Sequence, residues 1–451
     1  MKTALYTTAA IIALTAGSAQ AQLVIEPGSD DRINWASLDE FKAAHSDLEG
    51  QSFNILGPWL GGDQELFQSV IAYFNEATGA QANYSGSDSF EQQIVIDSEA
   101  GSPPDVAVFP QPGLASDLAE KGFLRPLGEE TAQWLTDNYA AGESWAALGT
   151  YAGPDGTEAL YAFPYKADVK SLVWYVPENF EDAGYEIPET YEDLKALTEQ
   201  IAADGETPWC IGLVSGGATG WPATDWVEDL MLRTATPEDY DAWTTNAMPF
   251  NDPKVVAAID EFGWFAKNPD FVAGGVGSVS ATDFRESPAG LFDSPPACYL
   301  HRQASFITTF FPEGTVVGED ADFFYMPAPA SGDLGQPVLG GGTMFAVLSD
   351  NPAAMAFVEF LKTPVAHEIW MAQQGFVTPY TGANVEAYDD PTVRRMGQIL
   401  LDATVFRFDG SDLMPGAIGA GAFWTGMIDF VGGASAQDVA DKIQASWASL
   451  N

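Results

Sequence analysis

Ser52-Phe53-Asn54-Ile55-Leu56-Gly57-Pro58 opens the stretch that decides the fold. Its apolar core predicts a buried strand, and Gly57-Pro58 ends it. From Asp63 onward Leu66, Phe67, Val70, Ile71 and Phe74 fall on one helical face, with Gly79 placed to close the helix. The pattern recurs along the chain. Asp105-Val106-Ala107-Val108-Phe109 predicts a second strand, followed by a helix through Leu114, Leu118 and Lys121. Ser171 to Val176 predicts a third, leading to a helix with Thr190 as N-cap, Asp193 three residues on, and Tyr191, Leu194, Leu197 and Ile201 on one face. Alternating strands and helices imply parallel βαβ units, hence the α/β class. Later helices are expected after Asn351-Pro352 and from Asp438 to Trp447. Gly340-Gly341-Gly342 and Gly432-Gly433 read as punctuation, and no segment has linker composition. Several βα units without a flexible hinge fit two α/β lobes joined by crossing strands, with a ligand cleft between the lobes.

The N-terminus has the layout of a cleaved export signal over residues 1–21: one cation, Lys2, an apolar run from Ala9 to Ala16 too short to cross a bilayer, and Ala19-Gln20-Ala21. Gln22 rather than a cysteine follows the cut, so no lipid anchor is expected. The mature chain of about 430 residues nowhere reaches the roughly 18 consecutive apolar residues of a membrane helix, so no direct membrane insertion is expected. Without Lys2 it carries 17 Lys plus Arg against 64 Asp plus Glu, a net charge of −47. Such a surface repels phosphate backbones and anionic lipids, so nucleic acid is not an expected partner. The acids are spread along the chain and aromatic content is 12%, which argues against disorder.

Cys210 and Cys298, 88 positions apart, are expected to form a disulfide after export, against the alternative of two buried thiols. His45, His301 and His367 show no ligand spacing, so neither a metal nor another cofactor is expected. No Gly-x-Ser-x-Gly elbow or Walker loop appears. A glycosidase needs only a carboxylate pair, and 64 acids leave that class open as an alternative.

Of 13 tryptophans, Trp59, Trp221 and Trp424 sit beside Gly, Pro and polar residues instead of inside apolar runs. There an indole can offer a flat face to the C–H groups of a pyranose. Cations are scarce enough to be informative. Lys166 and Lys170 flank Asp168, and His301-Arg302-Gln303 forms a second polar cluster. A carboxylate beside cations stays ionised and can accept from sugar hydroxyls. The competing reading of both clusters is an ion-paired surface.

The chain resembles the extracellular solute-binding proteins of carbohydrate ABC importers, the family that includes maltose-binding proteins, and within it the alpha-glucoside-binding branch. The resemblance runs through Phe67 to Gly79, Gly101-Ser102-Pro103-Pro104-Asp105-Val106, Phe163-Pro164-Tyr165 through Tyr175, Ile187 to Leu194, Phe357 to Trp370, and Met414-Pro415 through Trp424. It implies a two-lobed periplasmic binding protein fold with three interlobe crossings, near Asp168, Tyr325 to Pro329 and Thr378 to Thr381. The N-terminal lobe would comprise 22–167 and 327–380, the C-terminal lobe 168–326 and 381–451. By similarity, Asp168 matches a carboxylate that bonds sugar hydroxyls, and Trp424 matches a tryptophan that stacks on a glucose ring. The chain departs from maltose-binding relatives at Phe109-Pro110-Gln111-Pro112-Gly113. Phe109 keeps an aromatic and Gln111 offers hydrogen bonds, but the acid and arginine of those relatives are missing.

Thr219 to Trp226 and Cys298 to Phe306 look more like alpha-glucoside binders, which take disaccharides such as sucrose, trehalose or maltose. The implied role is periplasmic capture of a small-molecule sugar by a monomer, without catalysis, for delivery to the membrane permease subunits. Trp59, Trp221 and Trp424 would stack on the sugar, with Asp63, Gln111, Lys166, Asp168 and Arg302 bonding its hydroxyls and Phe109 beside them. A glucosyl osmolyte, polyol or oligosaccharide is the alternative ligand.

Overall fold

The computed structural model describes residues 23–140, 142–373 and 375–450; the expected export signal lies outside them. Strand Ser52–Gly57 pairs in parallel with Gln81–Gly86 on one side and Val106–Phe109 on the other. Helix Gly62–Thr78 connects the first two, and Gly79 closes it at φ +70°, a left-handed conformation that suits a residue without Cβ. Its buried face, including Phe67, Val70 and Phe74, packs with Phe53, Ile55, Phe345 and Phe357. This is the expected βα unit.

The 11-residue strand Pro337–Val347 is buried throughout and ties the sheet together. Its last residues run antiparallel to Val106–Phe109, its first run parallel to Val405–Phe408, and Ala162–Val169 lies antiparallel along its length. Gly340, Gly341 and Gly342 lie inside this strand and are not punctuation. A Cβ on Gly340 would stand 2.2 Å from the Phe406 ring, and one on Gly342 2.6 Å from the Lys166 carbonyl. The glycines are there because neighbouring chain comes too close for a side chain.

Two large cores, with a smaller third that joins Val169, Trp174, Ile307 and Val377, gather the buried apolar side chains of the described residues. One gathers buried residues up to Ala167 and from Met344 to Ala387, together with Phe408. The other gathers Val173 to Leu339 and Met414 to Trp447. These are the two lobes of the fold. The second lobe departs from the expected parallel arrangement. Its sheet is three short antiparallel strands, His301–Arg302, Leu172–Tyr175 and Asp322–Tyr325, with Leu172–Tyr175 in the middle and both flanking strands supplied by remote segments. Helices supply most of its core. In Tyr191–Ala203, Thr190 and Asp193 form the expected capping box. Cys210 and Cys298 are joined as a disulfide. Among the described residues no helix is long and apolar enough to cross a membrane.

Candidate functional site

A cavity of about 130 Å³ lies between the lobes. Three structural elements supply its first-lobe wall. Trp59 follows strand Ser52–Gly57, Asp63 sits in the first turn of helix Gly62–Thr78, and Gln111 precedes helix Pro112–Glu120. The floor is the strand Ala162–Val169 and its continuation, where Lys166, Asp168 and Lys170 occur at every second position and so share a face. Thr343 pairs with Lys166 on the neighbouring strand and also lines the cavity.

The second lobe contributes Trp221, the first residue of helix Trp221–Thr234, and Trp424, the first of Trp424–Val431. A π-helical turn, Ala417–Phe423, runs directly into the Trp424 helix. Phe284, Arg285, Phe306, Phe310, Asp409 and Asp412 complete that wall. At the rim the lobes touch. Gly217 N–H donates to the Asp88 carbonyl at 2.9 Å, Gln92 Nε2 to the Gly217 carbonyl at 3.2 Å, and Gly416 N–H to Asp117 Oδ2 at 2.9 Å.

The charged groups are buried and mutually arranged, which displaces the reading of a surface ion-pair group. Lys166 Nζ lies 2.8 Å from Asp168 Oδ1. Lys170 Nζ pairs with Asp225 Oδ1 at 3.0 Å and with Asp409. Burial alone would favour a neutral lysine, but those carboxylates hold its ammonium well above the usual lysine range. Burial pushes Asp225 up to about 7 and Glu228 well above the usual carboxylate range. Burial also acts on Asp409, yet Lys170 and hydrogen bonds outweigh it and hold this group down at about 2. Carboxylate oxygens of Asp225, Glu228 and Asp409 lie within 4.8 Å of one another, a spacing open to a metal ion. The Lys170 ammonium already bridges two of the three.

Four further carboxyls, Asp63, Asp88, Glu91 and Asp412, line the cavity without a salt bridge. Burial raises Asp63 to about 6 against the opposing pull of Lys166 and Arg285. Burial raises Glu91 to about 7, and its Oε1 accepts from Gln111 Nε2 at 3.1 Å. Asp63 Oδ1, Gln111 Oε1, Thr343 Oγ1, Arg285 Nε and Trp424 Nε1 are buried without a protein hydrogen-bond partner, and all five residues line the cavity. Buried polar atoms are nearly always bonded, so this cluster marks where a ligand or water completes the set.

Of the residues expected from the sequence, Trp59, Asp63, Gln111, Lys166, Asp168, Trp221 and Trp424 come together around the cavity. Phe109 does not. It is fully buried against Phe90 at 5.3 Å, because strand Val106–Phe109 turns its last side chain into the first lobe's core. Nor does Arg302 reach the cavity. Its guanidinium is spent on Asp229 at 3.0 Å and faces Asp225 at 3.7 Å, so it supports the Lys170 cluster from behind. Trp59 has a double role, lining the cavity while packing edge-on against Phe67 and Trp370. Sequence reasoning missed Glu91, Arg285, Thr343 and Asp409. Arg285 alone carried a usable signal, as one of only 18 Lys and Arg residues.

The family model described as bacterial extracellular solute-binding protein matches residues 58–368. The alpha-glucosides-binding periplasmic protein AglE of Rhizobium meliloti is 65% identical over the whole of both chains. The osmoprotective compounds-binding protein GgtB of Synechocystis is 42% identical over 89% of this chain and 94% of its own. Among solved structures, the bacterial solute receptor AcbH superposes with a TM-score of 0.75 at 17% identity, covering 89% of this chain and 99% of that one. With a family match over most of its length and relatives aligned almost end to end, the chain belongs to the bacterial extracellular solute-binding proteins.

Proposed function

We propose that this chain is the periplasmic substrate-binding component of an ABC sugar importer, capturing an alpha-glucoside such as sucrose, trehalose or maltose by closure of its lobes. The observation that carries the reading is an interlobe cavity in which tryptophans from both lobes surround buried polar atoms that lack partners. Pyranose C–H faces suit the indoles, and hydroxyls, which both donate and accept, suit the orphaned atoms. The cavity is small beside the roughly 300–1,000 Å³ of pockets for drug-sized ligands, which favours short glycosides over long oligosaccharides. The relative at 65% identity is named for alpha-glucosides.

On this reading Trp59, Trp221 and Trp424 stack on the sugar while Asp63, Gln111, Lys166 and Asp168 bond its hydroxyls. The lobes are 22–167 with 327–380 and 168–326 with 381–451, joined by three crossings. Ligand bridges both lobes only when they are closed, so it shifts the population toward the form presented to the permease subunits. The protein works as a monomer. A second ligand class, a glucosyl osmolyte such as glucosyl glycerol, is favoured by the 42% identical relative named for osmoprotective compounds.

Intrinsic tryptophan fluorescence of the mature chain, titrated with sucrose, trehalose, maltose, maltotriose and glucosyl glycerol, tests the proposal. Saturable quenching or shift at micromolar alpha-glucoside is the expected result. Silence across the panel, confirmed by calorimetry, removes the assignment.

A further inference from the structure

Arg285 stands in the turn before the short helix Ser287–Phe292 of the second lobe. Its Nη1 lies 3.3 Å from both carboxylate oxygens of Asp283, and Asp283 Oδ1 accepts from the Arg285 backbone N–H at 2.9 Å. The guanidinium carbon is 4.3 Å from the Phe284 ring centroid and 5.9 Å from that of Phe310. A carboxylate at one edge and two rings beside the plane hold the fork in place before any ligand arrives. The Nε atom is left buried and unpartnered, in a residue that lines the cavity.

Asp63 meets the same cavity from the first lobe and also leaves an oxygen, Oδ1, buried and unpartnered. Arg285 is paired with Asp283, and its charge still reaches Asp63. A group set between the two must accept from the guanidinium and donate to the carboxyl. Hydroxyls do both, whereas a carboxylate substituent cannot donate and an ammonium cannot accept.

We propose that Arg285 and Asp63 form a donor–acceptor couple across the cleft that selects an uncharged, hydroxyl-bearing sugar ring, with Arg285 as a specificity-determining residue from the second lobe. The inference rests on the sugar-binding reading above and adds a second-lobe residue that would enforce its neutral ligand class. Loss of either partner leaves the other buried without its complement, so both should act through the ligand and through each other.

The test is calorimetric titration of wild type, Arg285→Ala, Asp63→Asn and the double variant with whichever neutral alpha-glucoside the wild type binds. The charged probes are glucosamine and glucuronate. Each single substitution is expected to weaken binding at least tenfold, the double variant by clearly less than the product, and the wild type to reject both charged probes. In addition, Arg285→Ala should move the pH midpoint of binding upward. Asp63 would then face only Lys166 as a cation, beside Asp168 and the Tyr84 hydroxyl. If Arg285→Ala melts far below wild type, Arg285→Lys, which keeps the charge and loses Nε, takes its place, with the same loss of affinity and the same non-additivity expected and the pH midpoint unmoved. Wild-type sugar binding with an Arg285 variant within twofold of it, or with singles whose effects multiply, overturns the couple alone. Failure of the wild type to bind any glycoside overturns the sugar reading, and the couple with it.

Discussion

Lys170 Nζ lies 3.0 Å from Asp225 Oδ1, with both side chains buried, and the same ammonium reaches Asp409. One cation thus joins the end of strand Ala162–Val169, helix Trp221–Thr234 and the segment after Val405–Phe408 at the cavity. Lys170→Met would strand the buried Asp409 and leave Asp225 only the Arg302 guanidinium at 3.7 Å, at a cost of about 3–5 kcal/mol. Urea unfolding at pH 8 should show that loss as a lower midpoint. The loss should shrink near pH 5, because Asp225, raised to about 7, then takes up a proton and needs no cation. Equal losses at both pH values would contradict this account.

Sugar affinity should fall as the medium is acidified. A hydroxyl that donates to Asp63 favours its ionised form, so ligand lowers a group that burial has raised to about 6, and binding near pH 6 releases protons. A one-unit ligand-induced shift, from about 6 to about 5, corresponds to about fivefold weaker binding at pH 5 than at pH 7.5. Calorimetry at pH 6 in buffers of different ionisation heat measures the release, and Asp63→Asn should flatten the dependence. Identical wild-type affinities at the two pH values would remove Asp63 from ligand contact.

Trp424 tests stacking and hydrogen bonding separately. Trp424→Phe keeps an aromatic face and deletes the unpartnered Nε1 donor, which should weaken sugar binding by about 0.5–1.5 kcal/mol with little change in melting temperature. Trp424→Ala also removes the face and should cost one to a few kcal/mol of binding, on the scale of an aromatic hot spot. A melting temperature that collapses without sugar would make Trp424 a core residue first.

The disulfide closes a loop between positions 88 apart. In the chain-entropy model such a link stabilises by about 4 to 5 kcal/mol. The Cys210→Ala, Cys298→Ala double variant should lose stability of that order in denaturant titration. Its sugar affinity should stay within twofold of wild type, since neither cysteine lines the cavity. A large affinity loss would mean that the bond positions the cleft as well as stabilising the fold.

The local elements were legible because each depends on neighbours a few residues away. Leu66 to Phe74 reveal their helix by spacing, Thr190 and Asp193 cap each other, and Gly79 supplies a left-handed stop. The turn context of Trp59, Trp221 and Trp424 placed all three at the cavity. Readings failed where distant chain decided the outcome. Gly340 to Gly342 look like a turn until Phe406 and the Lys166 carbonyl press against them, and Arg302 looks like a ligand residue until Asp229 claims it.

By itself the sequence determined an α/β chain with the periodicities of βα units, a strong excess of acids and few cations. Only the tertiary structure decided what those cations do. Lys170 meets partners 55 and 239 positions away, and Arg285 and Asp63 face one cavity from different lobes. Spacing along the chain records secondary structure, but charge pairing and desolvation act through space and follow from how the lobes pack.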